Sequence, residues 1–566
     1  MKSDRAEEPL LTVENLSIAF GDEEPAVRGL NMEVFRGETL GIVGESGSGK
    51  SLTSLAVMGL LPPSARIVSG RILFSPKGKE TLDLVRTDRE TIRKLRGSRM
   101  GMVFQEPMSS LNPLHTCGAQ VSEAVMLHSG MSRKEARERT VALFEETELP
   151  RPAEIFERYP HEISGGQKQR VMIAMALSCG PDLLIADEPT TALDVTVQKH
   201  ILALIKSLAE KNRMGVIFIT HDLGVTAETA RDVLVMYRGE VVEQGRVSDI
   251  FRRPEATYTR ALIECRPRLD KNPPVLPTVD DMLAPDGSAP RTTPAERMKG
   301  PGEGSSVLVD ARDLGVWYPS AKNFLGRPTA FFKAVDGVSL EIRKGETMGL
   351  VGESGCGKST LGRALLRLQP LSAGTLHYDG HPIHDKSPAA MRPFRRKMQL
   401  IFQDPYGSLN PRMTVEEALT EPMAVHGLHG DKVARRDRIA ALLDRVGLPG
   451  AAARKYPHEF SGGQRQRICI ARALVTEPDF IVCDESVSAL DVSVQARVLN
   501  LLNELKAELG LTYLFISHDL SVVKYMSDRI AVMRAGRIEE FAEAEQLYKA
   551  PATDYTRTLI AAIPKF

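Results

Sequence analysis

GESGSGKS at Gly44–Ser51 and GESGCGKS at Gly352–Ser359 decide how this chain folds. Both fit G-x-x-x-x-G-K-[ST], in which glycines let the backbone curl until successive N–H groups point at phosphate oxygens. Each is preceded by an apolar run of buried-strand length, LGIV before Gly44 and MGLV before Gly352, and followed by helical apolar spacing. A strand, a glycine-rich turn and a helix start, in that order, turn the positive end of the helix toward an anion. In the first copy the cradle is Gly44, Glu45, Ser46, Gly47, Ser48 and Gly49, continued by Lys50, Ser51 and Leu52. In the second it is Gly352, Glu353, Ser354, Gly355, Cys356 and Gly357, continued by Lys358, Ser359 and Thr360. The lysines reach β- and γ-phosphates in such a loop, and Ser51 and Ser359 offer hydroxyls to Mg²⁺.

The doubling runs through the whole chain. Gln167 and Gln464, Glu188 and Glu485, His221 and His518, and Tyr258 and Tyr555 recur at one constant interval. Lys50 and Lys358 stand further apart than that, so loops in the early parts differ in length. Two related domains are read at 9–266 and 307–566, joined by a Pro- and Gly-rich linker at 267–306 that is nearly even in charge.

Around the loops, LLIADE and FIVCDE are strand-length apolar runs ending in paired acids. An aspartate there, Asp187 or Asp484, can hold Mg²⁺, and the next residue, Glu188 or Glu485, points elsewhere and can polarise a water. Gln105 and Gln403 end VFQ and IFQ and can join the Mg²⁺–water network without adding charge. His221 and His518 close VIFIT and YLFIS, where a neutral imidazole can meet a γ-phosphate and the water-holding glutamate.

Ser164-Gly165-Gly166-Gln167 and Ser461-Gly462-Gly463-Gln464 each open a helix, a second anion site far along the sequence from the first. With these residues the chain resembles ATP-binding-cassette (ABC) ATPases over both halves. The resemblance implies an α/β fold of two tandem ABC domains, each a RecA-like phosphate-loop core with an antiparallel β subdomain and a helical subdomain. It implies head-to-tail pairing, so that the signature of one half caps ATP held by the lysine of the other. Adenine stacking then falls on Phe20 and Tyr318, and the segments TALD at Asp194 and SALD at Asp491 correspond to the family's dimer interface. Both sites carry a full set of groups, so two hydrolysing sites are expected.

The segments QEPMSSLNP, QDPYGSLNP, YPHEISGG and YPHEFSGG, and the tails PEATYTRALI and PATDYTRTLI, are similar to the ATPases of dipeptide and oligopeptide importers. That group also handles nickel chelates and glutathione. Its usual tail H-P-Y-T is kept here only at Tyr258-Thr259 and Tyr555-Thr556. The resemblance implies ATP and Mg²⁺ as cofactors, two transmembrane permease subunits docking near the Gln105 and Gln403 segments, and an extracytoplasmic solute-binding protein. Di- and oligopeptides are the expected solutes, with glutathione, nickel chelates or another small solute as the alternative.

Bulk composition fits this. Lys+Arg and Asp+Glu both number 73, a balance that gives no electrostatic reason to expect nucleic acid. The six cysteines, Cys117, Cys179, Cys265, Cys356, Cys469 and Cys483, show no CxxC pair or metal spacing. Neither a basic-then-apolar leader nor a membrane-spanning apolar run is present in the sequence. A location in the cytoplasm, peripheral on the cytoplasmic face of the inner or plasma membrane, is expected. A ribosome-associated tandem cassette protein is disfavoured by the short Pro-rich linker, which lacks the basic charge needed to face RNA phosphates.

Overall fold

The computed structural model describes residues 8–104, 110–190, 194–284, 300, 304–322, 328–488 and 490–563. Two compact units divide the chain, one covering Met1–Leu193 and Val197–Ile263 and the other Glu264–Ile563. Each contains a six-stranded sheet, a four-stranded antiparallel sheet and a helical layer.

In the first unit the six-stranded sheet runs Glu240–Arg246, Asp232–Tyr237, Thr39–Val43, Gly215–Thr220, Leu183–Asp187, Met100–Val103. All neighbours are parallel except the antiparallel pair at the Glu240–Arg246 edge. Strands buried on both faces must be apolar at every position, and they alternate between two cores. Leu183, Ile185, Ile217 and Ile219 face the core under the antiparallel sheet, while Leu184, Ala186, Val216 and Phe218 face the core under the helices. The antiparallel sheet runs Val27–Val34, Leu11–Phe20, Ala65–Phe74, Leu82–Asp83. The helical layer contains Cys117–Ser129, Arg133–Glu146 and Gly165–Leu177, of which the Arg133–Glu146 helix starts on a Ser132–Glu135 capping box.

The second unit repeats this plan. Its six-stranded sheet runs Met398–Ile401, Phe480–Asp484, Thr512–Ile516, Thr347–Val351, Arg529–Arg534, Arg537–Glu543. Among the described residues no helix is long and apolar enough to cross a membrane.

The segment expected as a plain tether is partly folded. Val279–Leu283 is a helix, and Leu276 and Val279 are each 1% exposed. Asn500 exchanges two hydrogen bonds with the Leu276 backbone, at 3.0 and 2.8 Å. Lys524 donates to the Leu269 carbonyl at 2.7 Å, and Arg497 pairs with Asp280 at 2.8 Å. This strap lies over the Val492–Leu509 and Leu520–Met526 helices of its own unit. Proline-rich sequence hides it because two isolated apolar residues make no period; its partners are distant in sequence.

Candidate functional site

Each phosphate loop follows the central strand of the parallel sheet, Thr39–Val43 or Thr347–Val351, and opens the Lys50–Val57 or Lys358–Leu365 helix. Gly44 and Gly352 have φ of 154° and 150°, and a Cβ there would stand 2.2 Å from the Met236 carbonyl and 2.1 Å from that of Met533. Only glycine lets the turn pass so close to the neighbouring strand. Lys50 Nζ donates to the carbonyls of Gly44 and Glu45 at 2.8 and 2.6 Å, and Lys358 Nζ to those of Gly352 and Glu353 at 2.8 and 2.9 Å. Each charge is thereby held over the loop, with the lysine side chains buried. Ser46, Gly47, Ser48 and Gly49, and their counterparts Ser354, Gly355, Cys356 and Gly357, form the turn, with Leu52 and Thr360 on the first helical turn.

Beside the loop stands the first acid. Ser51 Oγ donates to Asp187 Oδ1 at 3.1 Å, and Ser359 Oγ to Asp484 Oδ1 at 2.7 Å. Burial pushes Asp187 up to about 6, against the hydrogen bond from Ser51. Asp484 is also raised by burial, while Ser359 and the Arg363 guanidinium, 3.7 Å away, oppose it. Arg363 has no charged counterpart in the first half, where Leu55 stands. A hydroxyl beside a buried carboxylate is an oxygen donor set that a hard divalent cation takes, the rest of its shell coming from phosphate and water.

The second acid turns out of the strand by a route that strand alternation does not foresee. Glu188 and Glu485 both sit at φ 47°, in the left-handed region. That conformation is costly for a side-chain-bearing residue and gathers at functional sites. It is held by N–H bonds to the Ile219 carbonyl at 2.9 Å and the Ile516 carbonyl at 3.0 Å. So placed, Glu188 Oε1 meets His221 Nδ1 at 3.2 Å, and Glu485 Oε2 meets His518 Nδ1 at 3.5 Å. Burial works against protonation of His221, but the Glu188 hydrogen bond and the Glu188 and Asp222 charges outweigh it and raise the imidazole. Burial likewise works against ionisation of Glu485, yet His518 and Lys358 hold it below the ordinary carboxylate range. Gln403 Nε2 donates to Glu485 Oε2 at 2.7 Å, so the glutamine touches the second acid directly. Gln105 lies outside the described residues.

The signatures are built alike. Ser164 Oγ accepts from Gln167 N–H at 3.3 Å while Gln167 Oε1 accepts from Ser164 N–H at 2.9 Å. The Ser461–Gln464 box repeats this at 3.4 and 3.1 Å. Gly165-Gly166 and Gly462-Gly463 form the first turn of helices Gly165–Leu177 and Gly462–Leu474. Asp491 caps the Val492–Leu509 helix by accepting from Val494 N–H at 3.0 Å, and Asp194 is buried just before the Val195–Asn212 helix. Phe20 ends its strand half-buried, and Tyr318 is 38% exposed on the Val307–Lys322 strand.

Comparison with known proteins agrees in both halves. The ABC transporter family profile matches residues 27–191 and 335–488, and the profile of the oligopeptide/dipeptide transporter C-terminal region matches 242–287 and 540–566. The chain is 48% identical over 560 residues to the glutathione import ATP-binding protein GsiA of Escherichia coli (strain K12), covering 98% of this chain and 89% of that one. It is 47% identical over 569 residues to the protein of the same name from Pectobacterium atrosepticum, covering 99% and 90%. Among solved structures, a dimeric ATP-binding cassette in a post-hydrolysis state matches 42% of this chain and 99% of its own, at 28% identity and a TM-score of 0.38. With a phosphate loop, a paired acid, a histidine and a signature in each half, this chain belongs to the ABC transporter family as a tandem ATPase that binds and hydrolyses ATP.

Proposed function

We propose that this chain is the energising subunit of an importer for glutathione and related short peptides, working through two permease subunits at the cytoplasmic face of a membrane and fed by an extracytoplasmic solute-binding protein. The observation that carries the reading is near full-length similarity to glutathione import ATP-binding proteins, joined to an oligopeptide-type C-terminal region in both halves. Glutathione is itself a tripeptide, so the peptide expectation and the relatives' printed name meet in one substrate class.

In this reading Lys50 and Lys358 hold the β- and γ-phosphates, and each ATP is capped by the signature of the opposite half. Mg²⁺ is held by Ser51, Asp187 and Gln105 at one site and by Ser359, Asp484 and Gln403 at the other; when bound it neutralises phosphate charge. Glu188 and Glu485 take the proton of the attacking water at a carboxylate oxygen. His221 and His518 fix those carboxylates through Nδ1 and leave Nε2 for the γ-phosphate. Asp194 and Asp491 line the junction of the halves, and Phe20 and Tyr318 stack on adenine. Closure on ATP and reopening after hydrolysis then drive the permeases.

Uptake of labelled glutathione and of a di- to hexapeptide panel, in cells lacking this chain and in cells with it restored, tests the assignment. Glutathione uptake that returns with the gene is expected. Unchanged glutathione and peptide uptake alongside intact ATPase activity would refute the substrate class and leave the ATPase standing.

A further inference from the structure

Each half ends in a helix whose tyrosine has no part in the chemistry above. Tyr258 lies in Thr257–Glu264 and Tyr555 in Asp554–Ala561. Their hydroxyls accept hydrogen bonds from the backbone N–H of Glu45 at 3.1 Å and of Glu353 at 3.2 Å. Those glutamates directly follow the glycine that begins each phosphate loop. Their carbonyls, with those of Gly44 and Gly352, accept from Lys50 and Lys358. One residue is therefore held at its N–H by the tail and at its C=O by the phosphate-binding lysine.

The clamp is anchored from behind. Before the first tail helix, the Glu243 carboxylate accepts from the Glu255 and Ala256 N–H groups at 2.9 and 3.2 Å. Before the second, Glu540 accepts from Ala552 and Thr553 at 2.8 and 3.0 Å. The rings are seated differently. Tyr258 packs on Tyr237 with centroids 4.2 Å apart, whereas Tyr555 lies under the Arg534 guanidinium at 4.8 Å. Ring packing thus differs between the halves while the hydroxyl-to-loop bond is kept.

We propose that Tyr258 and Tyr555 are positioning residues that fix the first turn of each phosphate loop, so that the tail sets how tightly the loop grips ATP. This rests on reading Gly44–Ser51 and Gly352–Ser359 as ATP cradles. Tyr258→Phe with Tyr555→Phe, in the full chain, keeps the rings and removes the bonds. A net hydrogen bond of ordinary strength predicts that the KM for ATP rises about threefold to tenfold. The expected kcat stays within about twofold, and the thermal midpoint is unmoved. An unchanged KM, or a lowered midpoint with no change in KM, would overturn the proposal. Should the Phe variants not fold, Glu243→Gln with Glu540→Gln loosens the anchors and takes the same readout, a raised KM supporting the clamp and an unchanged one sinking it. Lys50→Ala with Lys358→Ala separates the two readings. Loss of nucleotide binding there upholds the cradles whatever the tyrosines do, and normal binding would overturn the cradles and the clamp with them.

Discussion

Asp187 and Asp484 occupy the same place beside a serine hydroxyl, yet among the described residues an arginine faces only the second, across 3.7 Å. Arg363→Leu removes a positive charge that favours ionisation, so the Asp484 carboxyl is expected to titrate at higher pH than in the unaltered chain; carbon NMR of labelled aspartate reads the direction. The glutamates next in sequence carry the heavier expectation. Glu188→Gln with Glu485→Gln keeps size and hydrogen bonding but removes the base, so ATP binding persists while turnover falls by about 10² to 10⁴. Rapid hydrolysis by the double variant, measured as phosphate release, would take these residues out of the chemistry. The places of loop, acids and histidines were legible in the sequence, because each lies in a short local motif at a strand end. The left-handed turn at Glu188 and Glu485 was not. It depends on carbonyls of another strand, Ile219 and Ile516, which no local pattern announces.

Each signature helix lies against the start of the helix that follows the paired acids, and the fit is closer in the second half. A Cβ on Gly463 would stand 2.2 Å from Val494 Cγ1, while one on Gly166 would stand 2.9 Å from Val197 Cγ1. Gly463→Ala is therefore expected to cost about 1 to 3 kcal/mol through overpacking and Gly166→Ala less, as denaturant unfolding will show. The tails offer a pH test. Burial raises Glu540, but the Ala552 and Thr553 N–H groups and the Thr553 and Thr556 hydroxyls more than offset it and hold the carboxyl below its ordinary value. A lowered folded pKa means the stabilisation is full above the ordinary value of 4.5 and is lost as pH falls through the lowered one. Hydrogen-exchange protection of the Asp554–Ala561 helix should fall in that acid window, and Glu540→Gln should abolish the pH dependence. Helices and buried strands could be read from periodicity. The tail's grip on the phosphate loop could not, since Tyr258 and Glu45 lie far apart in the chain and only the fold brings them together.

At the scale of the molecule, doubling was plain from the repeat, and the strap was hidden within residues that read as a tether. Trp317 is the single tryptophan and belongs to the second unit, so its fluorescence follows that unit alone through unfolding. Leu276→Ala deletes a buried side chain from the strap and is expected to lower the stability seen by Trp317 by about 2 to 5 kcal/mol. No change in that signal would mean the strap adds nothing to the unit it covers.

The strap also fixes where the gene can be divided. A second cistron opened at Val307 would encode a protein missing the apolar cover of Leu276 and Val279 and the backbone groups that satisfy Asn500. Opened ahead of Arg268, it carries its own cover. Residues 268–283, which read as spacer, thus pack on the downstream unit, and a division of the reading frame that keeps that unit covered falls ahead of them.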